Sequence, residues 1–408
     1  MKYLRYACAL VAVFIASMPA SAQVAVRGQV IHTMAGEAIT DGVVLIENGK
    51  ITAVGPSSSV QIPEGFRVLE AAVVTPGLVD AHTTVGLSGI YNVPHDQDQI
   101  ETSEPIQPEL RALDAYNPLE ELVAWVRSFG VTTIHTGHGP GAPLSGQTMI
   151  VKTAGMVDEA LIQEATAVAV TLTPPSNSRN GDSLITTRAK TVAILRQDLI
   201  KAREYRDNVQ RAETDEEVSA PDRDLHVETM ARVLDGELAL MVTAHRVHDI
   251  VNAMRLADEF GLRLWLDGAS EAHQVLPQIK NAGIPVLLHP TMMRAYGETE
   301  NASMGTASLL REAGIPFAIQ SGYESYVPKT RVILFEAAVA AGHGLGFTNA
   351  LASITIEAAR ILGIDDRVGS LEPGKDGDIA LYDGDPLEYS THCVGVIING
   401  EVVSNVNR

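Results

Sequence analysis

Five histidines and one aspartate close short β-rich runs in this chain: His82, His135, His138, His245, His289 and Asp267. A neutral imidazole presents a lone pair, and a modest change in surroundings makes it an acid. Imidazoles and a carboxylate held together can bind a divalent cation and bring the pKa of its water near neutrality. They can also move protons without a metal. A lone histidine at a strand end usually has an ordinary hydrogen bond, so the chemistry depends on whether the fold gathers these side chains.

The elements that would gather them are repeating βα units. Runs at 238–245, 262–267, 284–289 and 315–321 are separated by helical patterns such as 249–260 and 271–281, which implies a parallel sheet. Further candidates at 77–80, 131–135, 148–153 and 167–172 bring the count to eight, as a (β/α)8 TIM barrel requires. In a closed barrel all six side chains face one mouth. An open doubly wound sheet is the alternative, but it leaves the β-rich ends of the chain unexplained.

Those ends carry matching signals. Asn48-Gly49 and Asn399-Gly400 each sit between β-rich runs, the signature of a type I′ hairpin. Together they predict a small β-sandwich domain assembled from N- and C-terminal segments. The expected division is a leader over 1–22, a composite β domain over 23–74 plus 366–408, and a barrel over 75–365.

The leader reads from Lys2 and Arg5, an apolar run over 7–18 and the small-x-small pattern Ala20-Ser21-Ala22, as in a cleaved secretory signal peptide. It predicts a periplasmic or secreted protein beginning near Gln23, with no membrane insertion afterwards. Beyond Cys8, inside that segment, the only cysteine is Cys393, so no internal disulfide is available. The chain has 30 basic and 50 acidic residues, a net charge of −20, which argues against nucleic acid and anionic membranes as partners. A small-molecule substrate is expected, and a homo-oligomer is compatible with the sequence.

Three segments resemble the amidohydrolase superfamily, in particular its imidazolonepropionase-like and prolidase-like members. They are Pro76-Gly77-Leu78-Val79-Asp80-Ala81-His82, then Ala244-His245 with Asp249-Ile250, and then Ala358-Ala359-Arg360-Ile361-Leu362-Gly363 followed by Val368-Gly369-Ser370-Leu371-Glu372-Pro373-Gly374-Lys375-Asp376-Gly377-Asp378. The resemblance implies the same barrel, and a divalent metal, zinc foremost, that activates water against an amide or related carbon–nitrogen bond. It makes His82 and His245 metal ligands. The family's second strand-one histidine falls on Thr84 and its strand-six histidine on Asp267; its strand-eight aspartate falls near Ser321-Gly322, with Glu324 the nearest carboxylate. No lysine stands in 167–171 for the bridging position.

With the usual set incomplete, His135, His138 and His289 are candidate ligands or oxyanion stabilisers, His289 also a catalytic group, and Asp267 a third ligand or general base. The long polar excursion after the first strand offers His95, Asp96 and Asp98 for substrate binding, or is simply solvated loop. The glycine-rich 137–141 could hold an anion, though a tight turn fits it better. Three readings follow: a hydrolase with a rearranged metal site, a non-catalytic descendant that keeps the pocket, and metal-free acid–base chemistry on a pair such as His245 with Asp267.

Overall fold

The computed structural model describes residues 23–405 apart from 92, 173–178, 181–182, 185–186, 293–294 and 324–332. The leader and Glu324 lie outside the described residues. Among the described residues, nineteen strands run in chain order. Four come first: β1 (Val24–Ile31), β2 (Ile39–Glu47), β3 (Lys50–Pro56) and β4 (Arg67–Pro76). The central strands are β5 (Leu78–Thr83), β6 (Val131–Thr136), β7 (Leu144–Gln147), β8 (Met149–Lys152), β9 (Leu161–Gln163) and β10 (Ala167–Thr171), then the short ladder of β11 (Arg179–Asn180) and β12 (Ser183–Leu184). After these come β13 (Ala239–Ala244), β14 (Leu264–Gly268), β15 (Val286–Leu288) and β16 (Phe317–Ile319). The chain closes with β17 (Ile379–Tyr382), β18 (Cys393–Ile398) and β19 (Glu401–Asn405).

The two chain ends share one seven-stranded sheet in the order β19-β18-β17-β4-β1-β2-β3. Asn48 and Asn399 take positive φ of 53° and 50° before their glycines, as type I′ hairpins require. The two hairpin tips then meet across Gly377, whose N–H donates to the Gly49 carbonyl at 2.8 Å and whose carbonyl accepts from Gly400 N–H at 3.0 Å. Apolar residues on both faces fill separate small cores around Val44 and Leu45.

The barrel follows the path β5, β6, β8 with β7, β10, β13, β14, β15, β16. It returns to β5 through a parallel bridge from Gly322 to Thr83, with Gly322 N–H donating to the His82 carbonyl at 3.2 Å. Inside, Val79, Ala81, Ile150, Ala167, Ala169, Ala239, Met241, Trp265, Leu287 and Ala318 form a core that Ala358, Ala359 and Leu362 plug from below. Among the described residues, no helix is long and apolar enough to cross a membrane.

One strand corrects the all-parallel expectation. The third barrel strand is the nearly continuous β7–β8, antiparallel to both β6 and β10. The cause is loop length. Only 137–143 separate β6 from β7, whereas a parallel return needs a dozen residues or more. The short loop therefore reverses the strand and stays at the mouth, carrying His138 and Pro140.

Beneath the barrel, Lys152 is 1% exposed and ties barrel to sheet. Its ammonium donates to Asp376 at 2.9 Å and to Asp378. Asp376 also meets Lys50 at 2.6 Å and Arg367 at 3.0 Å. Burial favours the acid form of Asp376, but the Lys152 charge and the hydrogen bonds overcome it and hold the carboxyl down at about 2.

Candidate active site

Strand alternation decides which side chains enter the mouth. Met241, Trp265, Leu287 and Ala318 face the barrel core, so two residues further on the same face carries Thr243, Asp267, His289 and Gln320. His245 continues that face beyond Thr243. On β5 the pairing with β6 loses register between Asp80 and Thr83, and His82 turns inward there. His82, Thr243, His245, Asp267, His289 and Gln320 line one small cavity of about 50 Å³, bounded above by Pro140 and Tyr323.

Asp267 is the hub. His82 Nδ1 lies 2.8 Å from its Oδ1, the Gln320 amide donates to the same oxygen at 2.6 Å, and Thr243 Oγ1 donates to Oδ2 at 2.6 Å. Gln320 also donates to the Leu287 carbonyl at 2.9 Å. Burial opposes ionisation of Asp267, yet the His82 charge and these three donors hold its carboxyl far below the usual range. Burial likewise opposes the His82 cation, and the charge and hydrogen bond of Asp267, with the Asp80 charge behind them, reverse that and raise the imidazole. His82 with Asp267 is thus a buried ion pair. His82 Nε2 makes no hydrogen bond, although the His138 carbonyl is near. Asp80 sits just below, accepting from Ser321 N–H at 3.0 Å, and burial pushes it up to about 7.

His245 is held in the opposite sense. His245 Nδ1 is 2.8 Å from Ser270 Oγ, and burial pulls the ring down to about 4. It is neutral at pH 7; with the hydrogen on Nδ1, donated to the Ser270 hydroxyl, Nε2 carries the lone pair. His289 Nδ1 faces the Gln320 carbonyl at 3.3 Å. A carbonyl only accepts, so that nitrogen carries a hydrogen and Nε2 is the ring nitrogen left for another partner. Both rings lie flat against glycines: a Cβ on Gly268 would stand 2.6 Å from His245, and one on Gly322 would stand 2.7 Å from His289.

The remaining sequence candidates are placed elsewhere. His135 is fully buried, bonded to the Ala81 carbonyl and to Thr148 Oγ1 at 2.7 Å each. Burial and the His82 charge pull it down to about 3. Both ring nitrogens are engaged, so it supports His82 from beneath and is not free to be a ligand. His138 is buried and does not line the cavity, and burial takes it down to about 4. The antiparallel third strand puts it in a tight connection, away from the strand-end position expected of it. His95 is exposed, Asp98 is exposed, and Asp96 caps its own turn by accepting from Val93 N–H at 2.9 Å. That excursion folds on itself, and none of the three lines the cavity. The metal-free reading had paired Asp267 with His245; its partner is His82. Sequence reading missed Thr243, Ser270, Gln320 and Tyr323. The first and third follow from strand alternation, whereas Ser270 and Tyr323 lie on loops that carry no such signal.

These residues fit a catalytic metal poorly. A hydrolytic zinc takes three protein ligands and keeps one open position. His245 and His289 each leave Nε2 for another partner, but both Asp267 oxygens are taken by protein donors and His82 directs Nδ1 at Asp267. No three histidine, cysteine or acidic side chains converge as a metal cage among the described residues.

Residues 309–404 match the profile of the Amidohydrolase family. The amidohydrolase tasK of Hapsidospora irregularis is 28% identical over 88% of this chain, which spans only 39% of that longer protein. The imidazolonepropionase of Fusobacterium nucleatum is 23% identical, with 90% of each chain covered. Among solved structures, an amidohydrolase from Thermotoga maritima superposes with a TM-score of 0.86 at 25% identity, covering 94% of this chain and all of that one. Proteins of this kind are generally metal-dependent. The barrel and these likenesses make the chain similar to proteins of the amidohydrolase superfamily.

Proposed function

We propose that the chain hydrolyses a carbon–nitrogen bond of a small amide by imidazole acid–base chemistry at the barrel mouth. The observation that carries this is geometric: His82, its Nδ1 held by Asp267, shares one cavity with His245 and His289, whose Nδ1 atoms are held by Ser270 and the Gln320 carbonyl. A base and an acid of opposite state side by side are what amide hydrolysis needs. His245 Nε2 takes a proton from water as the oxygen attacks the amide carbon. The carbon–nitrogen bond then breaks as the leaving nitrogen receives the His82 Nε2 proton, giving an acid and an amine. Asp267 keeps His82 charged and correctly turned, and touches no substrate.

The test is release of amine or ammonia from a panel of small amides and dipeptides, with and without chelator, for wild type and His245→Ala. Release that survives chelator and falls about 10²-fold or more in the variant supports the reading. Release abolished by chelator and restored by zinc refutes the metal-free step.

A second reading, a non-catalytic binding protein, is favoured by the saturation of Asp267 and by a cavity of only about 50 Å³. It predicts no release from any member of the panel by wild type. The leader-like segment 1–22 supports export to the periplasm or beyond, and small molecules remain the proposed partners. The mass of the purified native chain tests whether the first 22 residues are removed.

A further inference from the structure

A cavity of about 50 Å³ is far below the several hundred that small-ligand sites occupy, so a substrate needs Tyr323 or Pro140 to move. Tyr323 is held by one side-chain bond among those described: Gln99 Nε2 donates to its hydroxyl at 3.0 Å. Gln99 comes from the excursion after β5, is 3% exposed, and anchors the β6–β7 loop as well, because its carbonyl accepts from Gly139 N–H at 2.8 Å. Its Nε2 also donates to Gln97 at 2.9 Å, but its Oε1 is buried without any partner. Nearby, His138 is 4% exposed, with the Leu110 and Gln99 carbonyls as its polar neighbours. Buried polar atoms are nearly always satisfied, so the unmet Gln99 acceptor beside a blocked mouth points to a group that arrives later.

We propose that Gln99 determines substrate specificity by reading a neutral carbamoyl group that displaces the Tyr323 hydroxyl. This rests on the amide-hydrolase reading only for the substrate's reacting end. A carbamoyl carbonyl accepts the N–H that Tyr323 gives up, and its own N–H donates to the unmet Oε1. Tyr323 satisfies only the first. A carboxylate would set lone pairs against Oε1, and a methyl group would leave both atoms unmet.

The test is calorimetric binding of succinamide, succinamate and butyramide to wild type, Gln99→Leu and Tyr323→Phe, with ammonia release measured in parallel. Each mismatch leaves a buried polar atom unpaired, so wild type should bind succinamide roughly tenfold tighter than either other probe. Gln99→Leu should erase that preference. Tyr323→Phe removes the competing hydroxyl and should tighten succinamide while leaving butyramide within about twofold. Equal binding of the three probes, preference for succinamate, or a succinamide preference that survives Gln99→Leu would overturn the proposal. If Gln99→Leu does not fold, Tyr323→Phe decides alone, and equal changes for succinamide and butyramide overturn it. A Gln99-dependent preference without ammonia release would sustain the subsite and count against hydrolysis instead.

Discussion

Asp267→Asn isolates the ion pair on which the acid step depends. Asparagine keeps the shape but removes the charge that raises His82. It also exchanges one acceptor oxygen for a donor, in a place where His82, Gln320 and Thr243 all donate. One of those contacts must become donor against donor or rotate away. A hydrogen bond to a charged group contributes about 1.5–3 kcal/mol, so the variant should lose about that much stability. His82, still buried, should then be neutral at pH 7, and loss of a positioned general acid lowers the rate by about 10²–10⁴-fold. Two assays apply: NMR titration of the histidine ring protons, which needs no substrate, and kcat/KM on any amide found to turn over. A His82 that remains protonated at neutral pH in the variant would refute the electrostatic argument. A kcat/KM within about threefold of wild type, with His82 neutral, would refute its role as acid while leaving the ion pair intact.

The rate should rise with pH through about 4, as His245 loses its proton and becomes a base, and should fall on the alkaline side once the raised His82 deprotonates. A pH–rate profile flat from 3 to 10, measured over ~0.5-unit steps on stable protein, contradicts both assignments. Lys152→Met should destabilise by about 3–5 kcal/mol, because Asp378 loses its ammonium while Asp376 keeps Lys50 and Arg367. Chemical denaturation reads this, and Asp378→Asn added to Lys152→Met should recover part of the loss. The folded Asp376 carboxyl lies at about 2, below its unfolded value. Its contribution is therefore complete above about pH 4 and lost as pH falls toward 2, which acid denaturation of wild type beside Asp376→Asn measures. Gly322→Ala places a Cβ 2.7 Å from the His289 ring at a φ of +67°, and the left-handed backbone alone costs about 1–2 kcal/mol. The His289 NMR shifts should move, and unchanged shifts would mean the ring is not seated on that glycine.

The barrel and the hairpins were legible for a physical reason: both are written in local patterns. Asn-Gly between β-rich runs fixes a turn type, and alternation within runs such as 238–245 fixes which residues face inward. His82, His245, Asp267 and His289 were found because they end such runs, and Thr243 and Gln320 could have been found by the same count. The reversal of the third strand was also written in the chain, in the seven residues between β6 and β7, but reading it required weighing loop length against the βα rhythm. His138 sits in that short connection, and His135, though it ends β6 as expected, is bonded at both ring nitrogens beneath the cavity. The polarity of the site was less accessible. Nothing local says that Asp267 will be saturated by donors from three other strands, because those contacts join residues 24 to 185 positions apart.

That saturation changes what the family resemblance implies for this chain. In a metal site, a carboxylate needs free lone pairs and an imidazole needs a deprotonated nitrogen aimed at the ion. Here the strand-six position holds an aspartate, and the aspartate's charge is spent on protonating the strand-one histidine, the same group a metal would need neutral. Two of the departures from the family pattern, Thr84 and Asp267, are then coupled: with no second imidazole on strand one to help hold a cation, a strand-six carboxylate does better by fixing a proton on His82 than by waiting for an ion. Ser321-Gly322 fits the same logic, since another carboxylate at that position would compete for the His82 charge and crowd the His289 ring that rests on Gly322. Replacing Thr84 by histidine alone would therefore not rebuild a metal centre. The proton on His82 would have to be released first, which makes Thr84→His with Asp267→His the smallest change that should bind zinc, and zinc titration of the single and double variants would separate the two cases.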